Sequence, residues 1–324
     1  MSGCWSALEL NERAFIKTMI VDKSEQGVEL TLGFPLTNRL IPGMAVGSGQ
    51  SQGKAYSYVS GSGEDLGQAF RNIQMNLSRR ISFGQTRVIV LGRDMAEAGA
   101  EPVLEFVGRN APIYLNTKLY VTTGTAKDLT SAAVVSERFP NDILTATSKF
   151  RTAIDTSIKD FMEANYYGGD KVVPLLRLKM RRIETEKEKE QPWIEKAGAA
   201  VFTQGKMVGT LNVQEMRGGL WILGQLTDAE ITVTSPTDGK NVSFMIRNLH
   251  TNIKPKLGQG RTLIQIEADA DASVISSDSN IHLYDPQMLK RVEKSLNGEV
   301  HQRITDAIQD QRDAIRCVSI WKLY

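Results

Sequence analysis

The residue types that could do chemistry are few in this chain and far apart along it. The segment Gly47-Ser48-Gly49-Gln50-Ser51-Gln52-Gly53-Lys54 is glycine-rich and ends in Gly-Lys. A phosphate loop needs four residues between its glycines and a Ser or Thr after the Lys, so that amides and hydroxyl converge on the phosphate. Here five residues separate Gly47 from Gly53 and Ala55 follows Lys54, so the segment reads as a surface loop. No Gly-x-Ser-x-Gly elbow sits between a strand and a helix. Ser48 and Ser62 lie in polar loops without a histidine nearby in sequence. The three histidines, His250, His282 and His301, fall in a loop, an extended stretch and a helix face, which builds no metal site. Asp269 and Asp271 sit in an Ala/Asp/Ser stretch, where solvated strand-edge acids are expected. Arg177, Arg181 and Arg182 border an acidic run and are expected to pair with it rather than bind phosphate. These patterns imply no enzyme activity and no cofactor.

Cys4 is the exception. It follows Ser2-Gly3 and precedes a polar stretch. A near-terminal Cys is ordinarily an exposed thiol. Small residues before a Cys are also how a bacterial lipoprotein signal ends, at a Cys that is diacylated and becomes residue one. The other cysteine, Cys317, lies near the opposite end, so the pair forms neither a disulfide framework nor a zinc pattern.

The chain has 324 residues, and at about 150 residues per domain that predicts about two domains. Its 39 Lys+Arg against 37 Asp+Glu leave +2, which excludes a strongly basic nucleic-acid binder and an acidic-tail protein. With 41% apolar residues there is material for a sizeable core. No run of about 18 apolar residues is present to span a bilayer. No secretory leader is present either, since Glu9, Glu12 and Arg13 come almost at once.

Periodicity supplies the elements that must hold these side chains. A hairpin is expected over 14–22 and 28–32, with a polar turn at Asp22–Gly27. A short strand over 55–60 precedes a helix begun by Ser62-Gly63-Glu64-Asp65 as a capping box. That helix carries Leu66, Phe70, Ile73, Leu77 and Ile81 as one stripe. Strands are expected over 86–92, 115–122 and 172–180, and helices over 95–107, 126–135 and 143–165. Residues 184–192 contain no apolar side chain and predict a solvated linker or a long strand tip. Beyond it lie a hairpin over 196–211 and a helix capped by Asn212. Three strands follow (230–235, 242–247, 262–269), then a final helix over 286–314 with a kink at Asn297-Gly298. The fold class is α+β: mixed or antiparallel sheets with packed helices in two or more domains. The expected boundaries are 5–183, a charged linker 184–195, and 196–324.

The order of several short segments resembles one family. Gly3-Cys4-Trp5, ending in Glu9-Leu10-Asn11-Glu12, is similar to the mature start of the C-subunit lipoproteins of bacterial spore germination receptors, the Ger(x)C family. Met19-Ile20-Val21-Asp22-Lys23, Ala69-Phe70-Arg71-Asn72-Ile73, the join from Ile81 to Gly92, and Glu105-Phe106-Val107-Gly108-Arg109-Asn110 continue the likeness. Gly198-Ala199-Ala200-Val201-Phe202, Lys206-Met207-Val208-Gly209 and Leu211-Asn212 extend it past the linker. The resemblance implies a non-enzymatic lipoprotein on the outer face of the spore inner membrane, lipidated (palmitate) at Cys4. Its partners would be the integral-membrane A and B subunits of a nutrient germinant receptor, with no nucleic acid. An extracytoplasmic solute-binding lipoprotein that holds the nutrient itself is the alternative, and it predicts a deep, aromatic-lined cleft near 184–196. The family carries a signal peptide before its Cys and further strands after the long helix. In this sequence Met1 stands three residues before Cys4, and the last residues run Cys317 to Tyr324. The C-terminal domain is therefore expected to be incomplete, with apolar surface near Leu296, Ile304 and Ile308 uncovered.

Overall fold

A computed structural model describes residues 9–36, 56–109, 113–134, 140–149, 153–182, 190–226, 228–258, 261–282 and 284–314. Among these, the chain divides into two compact units. The first takes the residues up to 149 together with 155–210, and the second takes 153–154 and 211–314.

The first unit is built on an eight-stranded sheet. In chain order its strands are β2 (Thr18–Ser24), β3 (Gly27–Pro35), β4 (Tyr56–Gly63), β6 (Val88–Leu91), β7 (Lys118–Thr122), β8 (Asp170–Arg182), β9 (Glu190–Thr203) and β10 (Lys206–Leu211). Their spatial order is β10-β9-β8-β7-β6-β2-β3-β4. The centre, β8-β7-β6-β2, is parallel, and β2-β3-β4 and β8-β9 are antiparallel. A separate parallel pair joins β1 (Arg13–Phe15) to β5 (Arg80–Ser82). The single strand expected over 14–22 is thus two, broken at Ile16–Lys17.

Parallel strands buried on both faces need apolar residues at both parities of the pleat. β6 shows this: Ile89 and Leu91 enter one core and Val88 and Val90 the other. β7 divides likewise, with Leu119 and Val121 on one side and Tyr120 on the other. The larger core is closed by α1 (Leu66–Met75), α2 (Arg93–Ala98), α3 (Glu101–Arg109) and α5 (Ile158–Tyr166), and α4 (Pro140–Lys149) covers the other.

Several helices differ from expectation for local reasons. α1 is capped by Asp65, whose carboxylate accepts the Gln68 amide at 2.7 Å, rather than by Ser62. It ends at Met75, and Ile81 belongs to β5. The helix expected over 95–107 is two, because Gly99 adopts φ 127° and stops α2. Pro102 then falls in the first turn of α3, where its missing amide donor costs nothing. The 143–165 stretch is likewise α4 and α5. α5 starts at a reciprocal box in which Ser157 accepts the Asp160 amide and Asp160 accepts the Ser157 amide. Burial opposes ionisation of Asp160, but its bonds to the Ser157 hydroxyl and amide outweigh this and hold the carboxyl below the usual range.

The linker expected at 184–195 is corrected over its described part, 190–195. Residues 190–195 are strand, paired in β9 with 177–182 of β8. Residues 183–189 lie outside the described residues, and side chains that cannot be buried can still flank a backbone ladder, as Glu190 and Gln191 do. The compact units divide at 210/211 instead.

The second unit carries an antiparallel sheet in the order β11 (Ala229–Thr234), β12 (Asn241–Gly258), β13 (Arg261–Ser277). Two helices, α6 (Val213–Ile222) and α7 (Pro286–Ala314), complete it. β11 alternates strictly, with Ala229, Ile231 and Val233 inward. They meet Val242, Phe244 and Ile246 from β12, Leu220 and Trp221 from α6, and Val292 and Leu296 from α7. Leu296 is therefore buried and Ile304 packs against the same core, contrary to the expectation that they are left uncovered; Ile308 is half-buried. α7 runs without interruption through Asn297-Gly298. A Cβ on Gly218 would lie 2.6 Å from Ala307 Cβ and 2.8 Å from the Arg303 carbonyl oxygen, so α6 and α7 touch backbone to backbone there.

Candidate functional site

Cys4, Cys317, Ser48 and the Gly47–Lys54 loop lie outside the described residues. Ser62 is in β4. His250 is exposed on β12 opposite Asp269, His282 is exposed, and His301 is exposed on α7. The His301 ring approaches the Thr305 hydroxyl at 3.4 Å within one helical turn. Ser62 belongs to the first unit and the three histidines to the second, and among the described residues no group of His, Cys, Asp and Glu is disposed to hold a metal. Asp271 accepts a bond from Asn248 at 2.8 Å, which makes it a structural acid at a strand irregularity.

Two polar assemblies are built in the first unit. One centres on Asp22, expected to open a turn but found in β2 with 5% of its surface exposed. Its two carboxylate oxygens accept the amides of Ala126 (2.7 Å) and Lys127 (2.9 Å), which begin the 3₁₀ turn Ala126–Ser131. The Lys127 ammonium reaches back to Glu29 on β3. A Cβ on Gly92 would stand 2.0 Å from Asp22 Oδ1. Burial raises the Asp22 pKa against the lowering effect of the two amides. The group pins three segments, the ends of β2 and β6 and the turn after β7. The sequence signal was slight: a glycine directly after an apolar strand.

The other assembly lies along the β8–β9 hairpin. Glu195, with its side chain 10% exposed, bonds the Arg177 and Arg181 guanidiniums. Arg181 above all, then Arg177, holds its carboxyl below the usual range. The arginines therefore pair with an acid of the 184–195 stretch, as expected. Beside them a groove of about 350 Å³ is lined by Ile143, Leu144, Leu176, Trp193 and Ile194, with Arg181 and Lys196 at its polar side. It stands where a cleft was expected, with one aromatic side chain in its wall.

The arrangement is that of a layered scaffold with two polar pins. The model of the spore germination protein N-terminal domain matches residues 6–178, and that of the spore germination B3/GerAC-like C-terminal region matches residues 197–317. The chain belongs to the GerAC family of spore germination proteins. The gap between the two matches, 179–196, takes in the end of β8 and the start of β9, and β9 stays in the first sheet. YfkR of Bacillus subtilis (strain 168) is 23% identical over 309 residues, covering 95% of this chain and 80% of its own length. Spore germination protein KC of the same organism is 23% identical over 330 residues with the same coverage. The crystal structure of the GerBC protein superposes with a TM-score of 0.58 at 16% identity, over 94% of this chain and 85% of that one. The α+β, multi-domain architecture is thus the fold of that structure.

Proposed function

We propose that this chain is a non-enzymatic subunit of a nutrient germinant receptor, acting through contacts with two integral-membrane subunits at the outer face of the spore inner membrane. The observation that carries this reading is the pair of family matches, in order, over both parts of the chain. Cys4 is the lipid attachment point in this reading. One acyl chain gives only marginal membrane residence, whereas the two chains of a diacylglyceryl group hold a folded body at the surface. Holding it there raises its effective concentration near membrane partners, so weak contacts suffice.

Deleting the gene tests it. Spores should fail to germinate with particular nutrients while their cortex-lytic enzymes stay active. Normal nutrient germination in a strain without paralogues would overturn the reading. Cys4→Ala in the full-length protein should move it from the membrane to the soluble fraction. A second reading, direct nutrient binding, is favoured by the groove beside Trp193 alone. Calorimetric titration of nutrients into the chain, with Trp193→Ala as control, separates the two.

A further inference from the structure

We propose that the end of the first unit formed by the 3₁₀ turn Leu10–Glu12 and the α1–β5 connection faces the membrane and binds anionic lipid headgroups. The proposal rests on the anchoring of Cys4. Only six positions separate Cys4 from Leu10, a reach of at most about 20 Å for extended chain. Whatever surface surrounds Leu10 therefore stays close to the bilayer.

That surface has the required chemistry. β1 pairs with β5 in register Arg13 with Arg80, which sets the turn against residues 77–80. Between them runs a groove of about 570 Å³ walled by Asn11, Glu12, Gln74, Leu77, Ser78, Arg79 and Arg80, so two cations face one acid across it. Leu10, next to Asn11 in sequence, and Met75, next to Gln74, are 75% and 70% exposed. Two large apolar side chains this open bury little against the rest of the unit. Arg71, one turn before Met75 on α1, and Arg79 and Arg80 are all exposed, and none has an ion-pair partner among the described residues. Glu9 and Glu12 are the acids beside them, and each is engaged in the turn's own hydrogen bonds. Cations bracketing exposed apolar side chains suit a headgroup layer, where arginine meets phosphate and the apolar tips reach the acyl boundary.

The test uses the full chain produced without lipid, so its outcome does not depend on Cys4. Sedimentation with vesicles of phosphatidylglycerol and phosphatidylcholine should show binding that is absent with phosphatidylcholine alone and that falls as salt is raised. Arg79→Ala and Arg80→Ala should each weaken partitioning about five-fold, and Met75→Ser should weaken it with the charge unchanged. Unaltered thermal unfolding shows that each variant is folded. Equal binding to both vesicle types, or folded variants that bind as well as the parent, overturns the proposal. So does a protein contact, which would appear as variants that lose receptor assembly without any anionic-vesicle binding in the parent. The anchoring reading fails separately, if Cys4→Ala leaves the full-length protein in the membrane fraction.

Discussion

The Asp22 carboxylate occupies the space in front of Gly92: its Oδ1 lies 2.0 Å from where a Cβ on residue 92 would be. The carboxylate could swing away only by releasing the Ala126 and Lys127 amides. Gly92→Ala and Asp22→Ala therefore break the same assembly. Leaving buried donors unsatisfied costs about 1–3 kcal/mol each, so each variant should lose about 2–4 kcal/mol in denaturant unfolding. The double variant should lose little more than either single one, because the second change finds the pin already broken. Additive losses would show that the two residues act independently.

Two helical glycines should respond oppositely to alanine. Gly298 on α7 has nothing within 4 Å of a Cβ, so Gly298→Ala should stabilise by up to about 1 kcal/mol through helix propensity alone. Gly218→Ala gains the same propensity but drives a methyl into the Arg303 carbonyl and Ala307. It should be net destabilising, with the loss confined to the transition of the second unit. Chemical denaturation followed by tryptophan fluorescence reports it, since Trp221 lies in that core.

The turn between β11 and β12 predicts an acid-dependent loss. Asp238 is held down to about 2 by bonds from Ser279 first, then from the Asn280 and Lys240 amides. A carboxyl with a depressed folded value contributes stability that is complete above its unfolded value near 3.8 and is lost as pH falls toward 2. Carboxyl NMR should place the Asp238 midpoint in that window, and Asp238→Asn should flatten this part of the acid profile.

Asp22 should behave with the opposite sign. Its folded value lies above 3.8, so its charge is disfavoured in the native state and its contribution improves as pH falls through the folded value. Comparing the pH dependence of unfolding for the parent and for Asp22→Asn isolates this term. A parent that gains nothing relative to the variant on mild acidification would contradict it.

The sequence by itself determined the element types, because hydrophobic period and caps act locally. The α7 limits, the Asn212 cap, the strict alternation of β11 and the turn before Lys240 could all be read from neighbouring residues. Lipidation at Cys4 was also posed by the sequence, through the order of segments that resemble one family. Tertiary structure decided what depends on residues distant in sequence. Asp22 looks like a turn residue until Ala126 and Lys127, more than a hundred positions later, supply its amide donors. Residues 190–192, at the end of the charged run, looked like linker because nothing in them can be buried; strand pairing needs backbone, not apolar side chains. The placing of Arg79 and Arg80 against the Leu10–Glu12 turn was invisible in a net charge of +2, since only the pairing of β1 with β5 brings these segments together.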